Sequence, residues 1–211
     1  MPSARVALAA LKAGNRRFVD GVPAHVQDAV TRRREALAGG QRPSAVVLGC
    51  SDSRVPPEVI FDQGLGELFV IRVAGNIANP SQVGSVEFAV QVLGVRLVVV
   101  LGHTGCGAVV ATLEEILTPH GPPSPGMASI VDVIRPVVEP LVRESGVPGV
   151  PALDQRVLMD AAVEANVQAA VGHIREGVSP LPPEVEAERG PVVVVGARYD
   201  VDSGAVVFLG P

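Results

Sequence analysis

The sequence predicts an α/β fold: a single domain with a mainly parallel central sheet of about four strands, an antiparallel edge strand, helices on both faces and an extended N-terminal helix. Three observations lead to this prediction. Short runs rich in Val, Leu and Ile alternate with longer segments of helical periodicity, as in parallel sheets with helical crossovers. The length of 211 residues suits one domain. The last two apolar runs are joined through Asp202-Ser203-Gly204, which is typical hairpin chemistry.

The predicted elements follow in chain order. Residues 1–38 are predicted to form an N-terminal helical arm, with a helix over about 4–18 and a second, polar helix over about 26–38. Residues 45–211 are predicted to form the α/β core. Its strands are predicted at 45–49, 68–73, 97–101, 192–195 and 206–209. Its helices are predicted at 84–93, 108–117, 126–144 and 154–176, with a short helical piece from about 57 that ends by Gly64. Pro136 and Pro140 are expected to kink or break the helix that contains them.

Composition excludes several classes of function. The net charge is -5 and the acidic and basic residues are mixed along the chain, which gives no electrostatic case for nucleic acid or an anionic membrane as partner. No apolar run approaches the roughly 20 residues that a membrane span needs. The N-terminus lacks the basic and then apolar pattern of a signal peptide. The expected location is therefore the cytoplasm, where two cysteines indicate free thiols, metal ligands or a nucleophile.

Both cysteines lie just beyond predicted strands. Cys50 follows the strand at 45–49, while His103 and Cys106 follow the strand at 97–101 in the sequence GHTGCG. Residues past parallel strands lie at the carboxyl edge of the sheet, where open α/β folds bind ligands. Two sulfur ligands and one nitrogen, with a fourth position left for oxygen, describe a catalytic zinc site. Soft thiolates argue against Mg²⁺ and Ca²⁺.

Asp52 and Arg54 stand at alternate positions after Cys50, so their side chains share a side of an extended segment and can form a bidentate ion pair. Two interpretations are open. The pair is a solvated surface contact of little energetic value, or Arg54 holds Asp52 beside the metal. In the second case Asp52 accepts a hydrogen bond from metal-bound water or binds the zinc itself.

These motifs resemble the β-class carbonic anhydrases. The resemblance rests on the residues C50-S-D-S-R54 and H103-T-G-C-G107, and it extends over nearly the whole chain through LKAGNRRFVDG (11–21), GELFVIRVAGN (66–76), GSVEFAV (84–90) and GARYDVDSGAV (196–206). It implies one Zn²⁺ per chain on Cys50, His103 and Cys106. It also implies reversible hydration of CO2 to bicarbonate and a proton by a metal-bound hydroxide, with Asp52 and Arg54 as a paired dyad.

The resemblance implies further details. Asp52 becomes a fourth metal ligand if the site is in a closed state. The side chain of Gln41 lines the substrate pocket and the backbone N–H of Gly107 binds the substrate. The chain forms a homodimer or homotetramer, with its N-terminal helix laid across a partner. Members with an allosteric bicarbonate site often carry Trp where this chain has Val47, although Arg72 matches the arginine of that site.

Three other functions fit part of the pattern. A cysteine phosphatase would use Cys50 as nucleophile and Arg54 as phosphate clamp, but such loops normally place five residues between the two, and here there are three. A non-catalytic, zinc-stabilised binding protein would leave Asp52 and Arg54 without a purpose. A related zinc hydrolase on the same scaffold could act on another small linear molecule such as carbon disulfide, because fold similarity does not fix the substrate.

Overall fold

One sheet runs through the protein, and in the described residues it has five strands: β1 (Ala45–Gly49), β2 (Leu68–Arg72), β3 (Leu97–His103), β4 (Val193–Tyr199) and β5 (Val206–Phe208). The structure is a computed structural model that describes residues 1–25, 40–119, 121, 124–144 and 152–210, with the side chains of the last range described from residue 156. The strand order is β2-β1-β3-β4-β5. All pairings are parallel except that of β4 with the edge strand β5. The predicted fold class is therefore confirmed.

Helices cover both faces of this sheet. They are α1 (Ala4–Val19), α2 (Pro57–Ile60), α3 (Pro80–Gln91), α4 (Gly107–Leu117), α5 (Pro125–Glu144), α6 (Ala152–Gly177) and α7 (Pro183–Arg189), with a 3₁₀ turn at Ala74–Asn76. On one face α3 and α6 bury residues such as Val86 and Val171 against the strands. On the other face α1 and α2 bury Leu11 and Ile60. Each strand of the middle of the sheet is thus apolar on both sides, as expected for a parallel sheet.

Of the kink or break expected at the two prolines of α5, the break does not occur, because the helix continues from Pro125 to Glu144. Pro136 and Pro140 lie one turn apart and both are exposed. The backbone carbonyls that lose their partners can therefore bond to water. The opposite side of the helix, which carries Ile134 and Val138, remains fully buried and holds the helix in place.

Other boundaries moved because tertiary pairing extends the elements. β4 was predicted to end at residue 195, but it continues to Tyr199, which pairs with His103 of β3. The 3₁₀ turn and α7 were not predicted. The polar helix predicted over 26–38 lies outside the described residues, so the division into an arm (1–38) and a core (45–211) stays a prediction. None of the helices among the described residues is long and apolar enough to span a membrane.

Candidate metal centre

The ends of β1 and β3 bring the candidate ligands together. The two strands are parallel neighbours with Gly49 opposite Leu101, so the residues that follow them emerge at the same edge of the sheet. The Sγ atoms of Cys50 and Cys106 lie 4.0 Å apart. Together with a ring nitrogen of His103, the three ligand atoms lie within 4.8 Å of one another, and all three residues are buried. This is a spacing at which one ion could contact all three.

The turn between His103 and Cys106 makes this approach possible. Gly105 has a φ of 65°, in the left-handed region that favours glycine, and a Cβ there would meet no atom within 4 Å. Cys106 is the N-cap residue of α4. The backbone N–H groups of Val109 and Ala108 in the first turn act to lower the pKa of its thiol, and so favour a negative charge on the sulfur.

The two sulfurs cannot both carry a full negative charge unless a cation lies between them. The hydrogen bond that Cys106 donates is the main cause of a pKa of Cys50 well below the ordinary thiol value, and the N–H of Gly75, which donates to the same sulfur, lowers that pKa further. The same contact, together with burial, raises the pKa of Cys106 far above its ordinary value. The pair therefore shares one proton in the absence of a cation, and a divalent ion is what would allow both sulfurs to be thiolates.

The hydrogen bonding of His103 also suits a metal ligand. Its Nδ1 lies 3.0 Å from the carbonyl oxygen of Thr104, which can only accept, so Nδ1 carries the proton and Nε2 presents a lone pair. Nε2 is buried and has no hydrogen-bond partner among the described residues. A buried imidazole nitrogen next to two sulfurs is left unsatisfied unless it binds an ion, so the residues fit a soft divalent metal such as zinc.

Asp52 and Arg54 form the bidentate pair that their spacing suggests. Arg54 donates from Nε to Oδ1 at 3.0 Å and from Nη2 to Oδ2 at 2.8 Å, and its backbone N–H also donates to Oδ1. These bonds, chiefly those from the guanidinium, hold the pKa of the Asp52 carboxyl well below its usual range. Asp52 Oδ2 lies 3.9 Å from Nε2 of His103, so an ionised carboxylate borders the cluster of ligand atoms.

Arg72 contributes in a way that the sequence did not reveal. Its Nε donates to the carbonyl oxygen of Cys50 at 3.0 Å and its Nη2 donates to that of Asp52 at 2.6 Å. The guanidinium therefore fixes the backbone that carries Cys50, a candidate metal ligand, and Asp52.

Val47, the position for which the resemblance pointed to a Trp in some members, is a fully buried strand residue.

The two residues that are predicted to contact the substrate, Gly107 and Gln41, lie in different parts of the structure. Gly107 is the first residue of α4, it is exposed, and a Cβ added to it would enter open space. Gln41 is also exposed, but it is not among the residues that line the cavity beside Arg54. That cavity is lined by Arg54, Thr104, Gly105, Arg156, Met159, Asp160, Val201 and Asp202.

Two further residues near the metal ligands were missed by the sequence analysis. The N–H of Gly75 donates to Sγ of Cys50 at 3.4 Å, and Asn166 donates from Nδ2 to the carbonyl oxygen of Gly75 at 2.8 Å. For Asn166, the signal that the sequence offered was a polar residue on the apolar face of α6, between Val163 and Val167. An amide on a buried helix face needs a partner, and the sequence could not name it.

Comparisons with known proteins agree with this geometry. Residues 45–206 match the family model described as carbonic anhydrase. Carbonic anhydrase 2 of Mycobacterium tuberculosis is 41% identical over 201 residues, covering 94% of this chain and 89% of that protein. The carbonic anhydrase of Mycolicibacterium smegmatis is 39% identical over 197 residues, covering 93% and 89%. A solved chain of the tetrameric β-carbonic anhydrases of Sordaria macrospora superimposes with a TM-score of 0.70 at 26% identity, covering 86% of this chain and 87% of its own. The chain belongs to the β-carbonic anhydrase family.

Proposed function

We propose that the protein catalyses the reversible hydration of CO2 to bicarbonate and a proton, with one zinc ion held by Cys50, His103 and Cys106. The observation that carries this proposal is the convergence of two buried sulfurs and an unsatisfied imidazole nitrogen within 4.8 Å. Family membership supports the reaction, and the donor set supports the metal. When bound, zinc supplies a Lewis acid that lowers the pKa of a water molecule.

Asp52 is proposed to orient the attacking water. An ionised carboxylate only accepts hydrogen bonds, so it aligns the water and takes up no proton of its own at neutral pH. Arg54 engages both carboxylate oxygens and directs them toward the cluster of ligand atoms. A closed site would need Asp52 to leave Arg54 and become a metal ligand, and in this structure the pair is intact.

Two contacts to the substrate complete the proposal. The N–H of Gly107 belongs to the first turn of α4, where helix N–H groups are free to bind an anion such as bicarbonate. Gln41 is exposed and does not line the cavity beside Arg54, so we place its proposed contact across a subunit interface. This requires a homodimer or homotetramer, and the Sordaria macrospora relatives described as tetrameric support such an assembly. A cytoplasmic location remains part of the proposal.

The decisive experiment measures zinc content and CO2 hydration in the same preparations. Cys106→Ser should lose zinc and activity together, because one of three protein ligands is weakened. Asp52→Asn should retain zinc and lose about 100-fold in turnover, the scale expected when a reacting group is no longer held in position. Glu139→Gln is the matched control, since it neutralises an exposed carboxylate of α5 that pairs with Arg143.

The outcomes separate the alternatives. Full activity in Asp52→Asn would disprove the role of the dyad. Stoichiometric zinc in the wild type without CO2 hydration would favour a zinc-stabilised binding protein. Hydrolysis of carbon disulfide in place of CO2 hydration would favour the related hydrolase.

A further inference from the structure

We propose that Asn166 of α6 is a positioning residue for the metal centre: it fixes the backbone of Gly75, whose N–H donates to the sulfur of Cys50, and so sets how strongly that sulfur binds the metal. The inference rests on the proposed metal site. It concerns a residue that is 91 positions away from Gly75 in the chain and whose hydrogen bond goes to a backbone carbonyl oxygen, not to a candidate ligand atom.

A two-step hydrogen-bond chain links α6 to the ligand. Asn166 is 3% exposed, and its Nδ2 donates to the Gly75 carbonyl oxygen at 2.8 Å. The N–H of the same glycine donates to Cys50 Sγ at 3.4 Å. Because the two bonds act on both sides of one residue, Asn166 restrains the torsions that aim the N–H at the sulfur.

The turn needs this restraint because its backbone is strained. Gly75 has a φ of 71° and Asn76, a non-glycine residue that is 1% exposed, has a φ of 45°. Non-glycine residues in this region persist where the surrounding structure over-determines them. A Cβ on Gly75 would lie 2.9 Å from Ile134 Cδ1 and 3.0 Å from Ala108 Cβ, so α5 and α4 confine the turn by contact. Asn166 supplies the polar restraint from α6.

An N–H donated to a thiolate has a specific chemical effect. It stabilises the sulfur lone pairs and fixes their direction, as outer partners do for other metal ligands. When it is lost, the sulfur lone pairs rise in energy, and charge transfer from sulfur to a metal ion takes less energy. We therefore expect a thiolate-to-cobalt absorption band at longer wavelength. Because the sulfur is also held less firmly in its direction, we expect a metal affinity lower by about 10- to 100-fold.

The test uses the full-length protein loaded with Co²⁺, together with zinc affinity measured against a competing chelator. Asn166→Leu removes the amide at similar size, and Asn166→Ser is a smaller change that is read in the same way if the leucine variant does not fold. Val171→Ala is the matched control: like Asn166→Ser it removes buried volume from α6, but Val171, which is 2% exposed, packs in the cluster of α3 and the strands. It should lower thermal stability and leave the cobalt band and zinc affinity unchanged.

The expected result is a red-shifted band and weaker zinc binding in the Asn166 variants alone. A folded Asn166 variant with a wild-type band and wild-type zinc affinity would overturn this inference and leave the proposed function intact. A shift of the same size in Val171→Ala would also overturn it, because the cobalt band would then respond to any loss of packing along α6. Wild-type protein that takes up neither metal would overturn the proposed function and this inference together.

Discussion

The contact between β3 and α6 beside His103 allows a quantitative prediction. A Cβ at Gly102 would lie 2.5 Å from Val167 Cγ2 and 3.2 Å from Val163 Cγ1. Since ordinary contacts begin at 3.4 Å, Gly102→Ala must displace the helix or the strand by about 0.9 Å, the difference between 3.4 Å and 2.5 Å. Overpacking of this kind costs about 1–3 kcal/mol. For a chain of this length, Tm should fall by about 2–4 °C for each kcal/mol.

A second substitution tests whether this contact is the cause. Val167→Ala removes both Cγ atoms and by itself should cost about 2 kcal/mol for the lost burial and the cavity. The double variant should be more stable than the sum of the two losses predicts, by about 1 kcal/mol or more, because the clash is gone. Displacement of the strand end should also reduce zinc content in Gly102→Ala, and the double variant should regain it.

The assay is urea unfolding at one fixed protein concentration, since association of subunits would otherwise shift the midpoint. Zinc content is determined on the same samples by mass spectrometry. Strictly additive losses would refute the reasoning, because they would show that Val167 does not limit the approach to Gly102. Normal stability and zinc content in Gly102→Ala would refute it as well.

Three further predictions address other parts of the fold. Asp62 is fully buried and bonded to Arg17 at 2.6 Å, so Asp62→Asn should lower the free energy of unfolding by about 3 kcal/mol, as read from the urea midpoint. A normal midpoint would contradict this. Hydrogen bonds from Ser203 lower the pKa of Asp200, so this carboxylate stabilises the hairpin above an unfolded pKa of about 3.9 and the benefit is lost as pH falls through the lower folded value. NMR titration of Ser203→Ala should give a higher pKa for Asp200, and an unchanged pKa would rule out the hydroxyl as its cause. Gly107→Pro removes a backbone donor at a helix position that accepts proline, so this variant should retain zinc and lose activity. Gly107→Ala should keep both zinc and activity. Equal activity in the two variants would exclude the N–H as a substrate contact.

Much of the fold was accessible from local patterns. The five apolar runs became the five described strands, because each is short, rich in Val and Leu and bounded by turn residues. The errors came from the tertiary environment. β4 reaches Tyr199 because β3 offers it a partner as far as His103. α5 continues through two prolines because both lie on its exposed side, while Ile134 and Val138 on its other side are buried.

The candidate site also has parts that the sequence could predict and parts that it could not. Cys50, His103 and Cys106 could be singled out because their chemistry is unusual and each follows a strand. The observed roles of Arg72 and Asn166 could not be predicted, because they are bonds to backbone carbonyls of residues distant in the chain. A carbonyl group is present at every residue, so the sequence carries no mark of which one will be bound.

By itself the sequence determined the class of fold, the three soft donors and the pairing of Asp52 with Arg54, since these depend on residue type and on spacing within a few positions. Only the tertiary structure decided the distances among the donor atoms, and it left Nε2 of His103 without a hydrogen-bond partner among the described residues. It also decided that Asn166 of α6 bonds to the turn at Gly75. Those features arise when segments 50 to 100 residues apart are packed against each other, and such packing depends on the shape of the whole core.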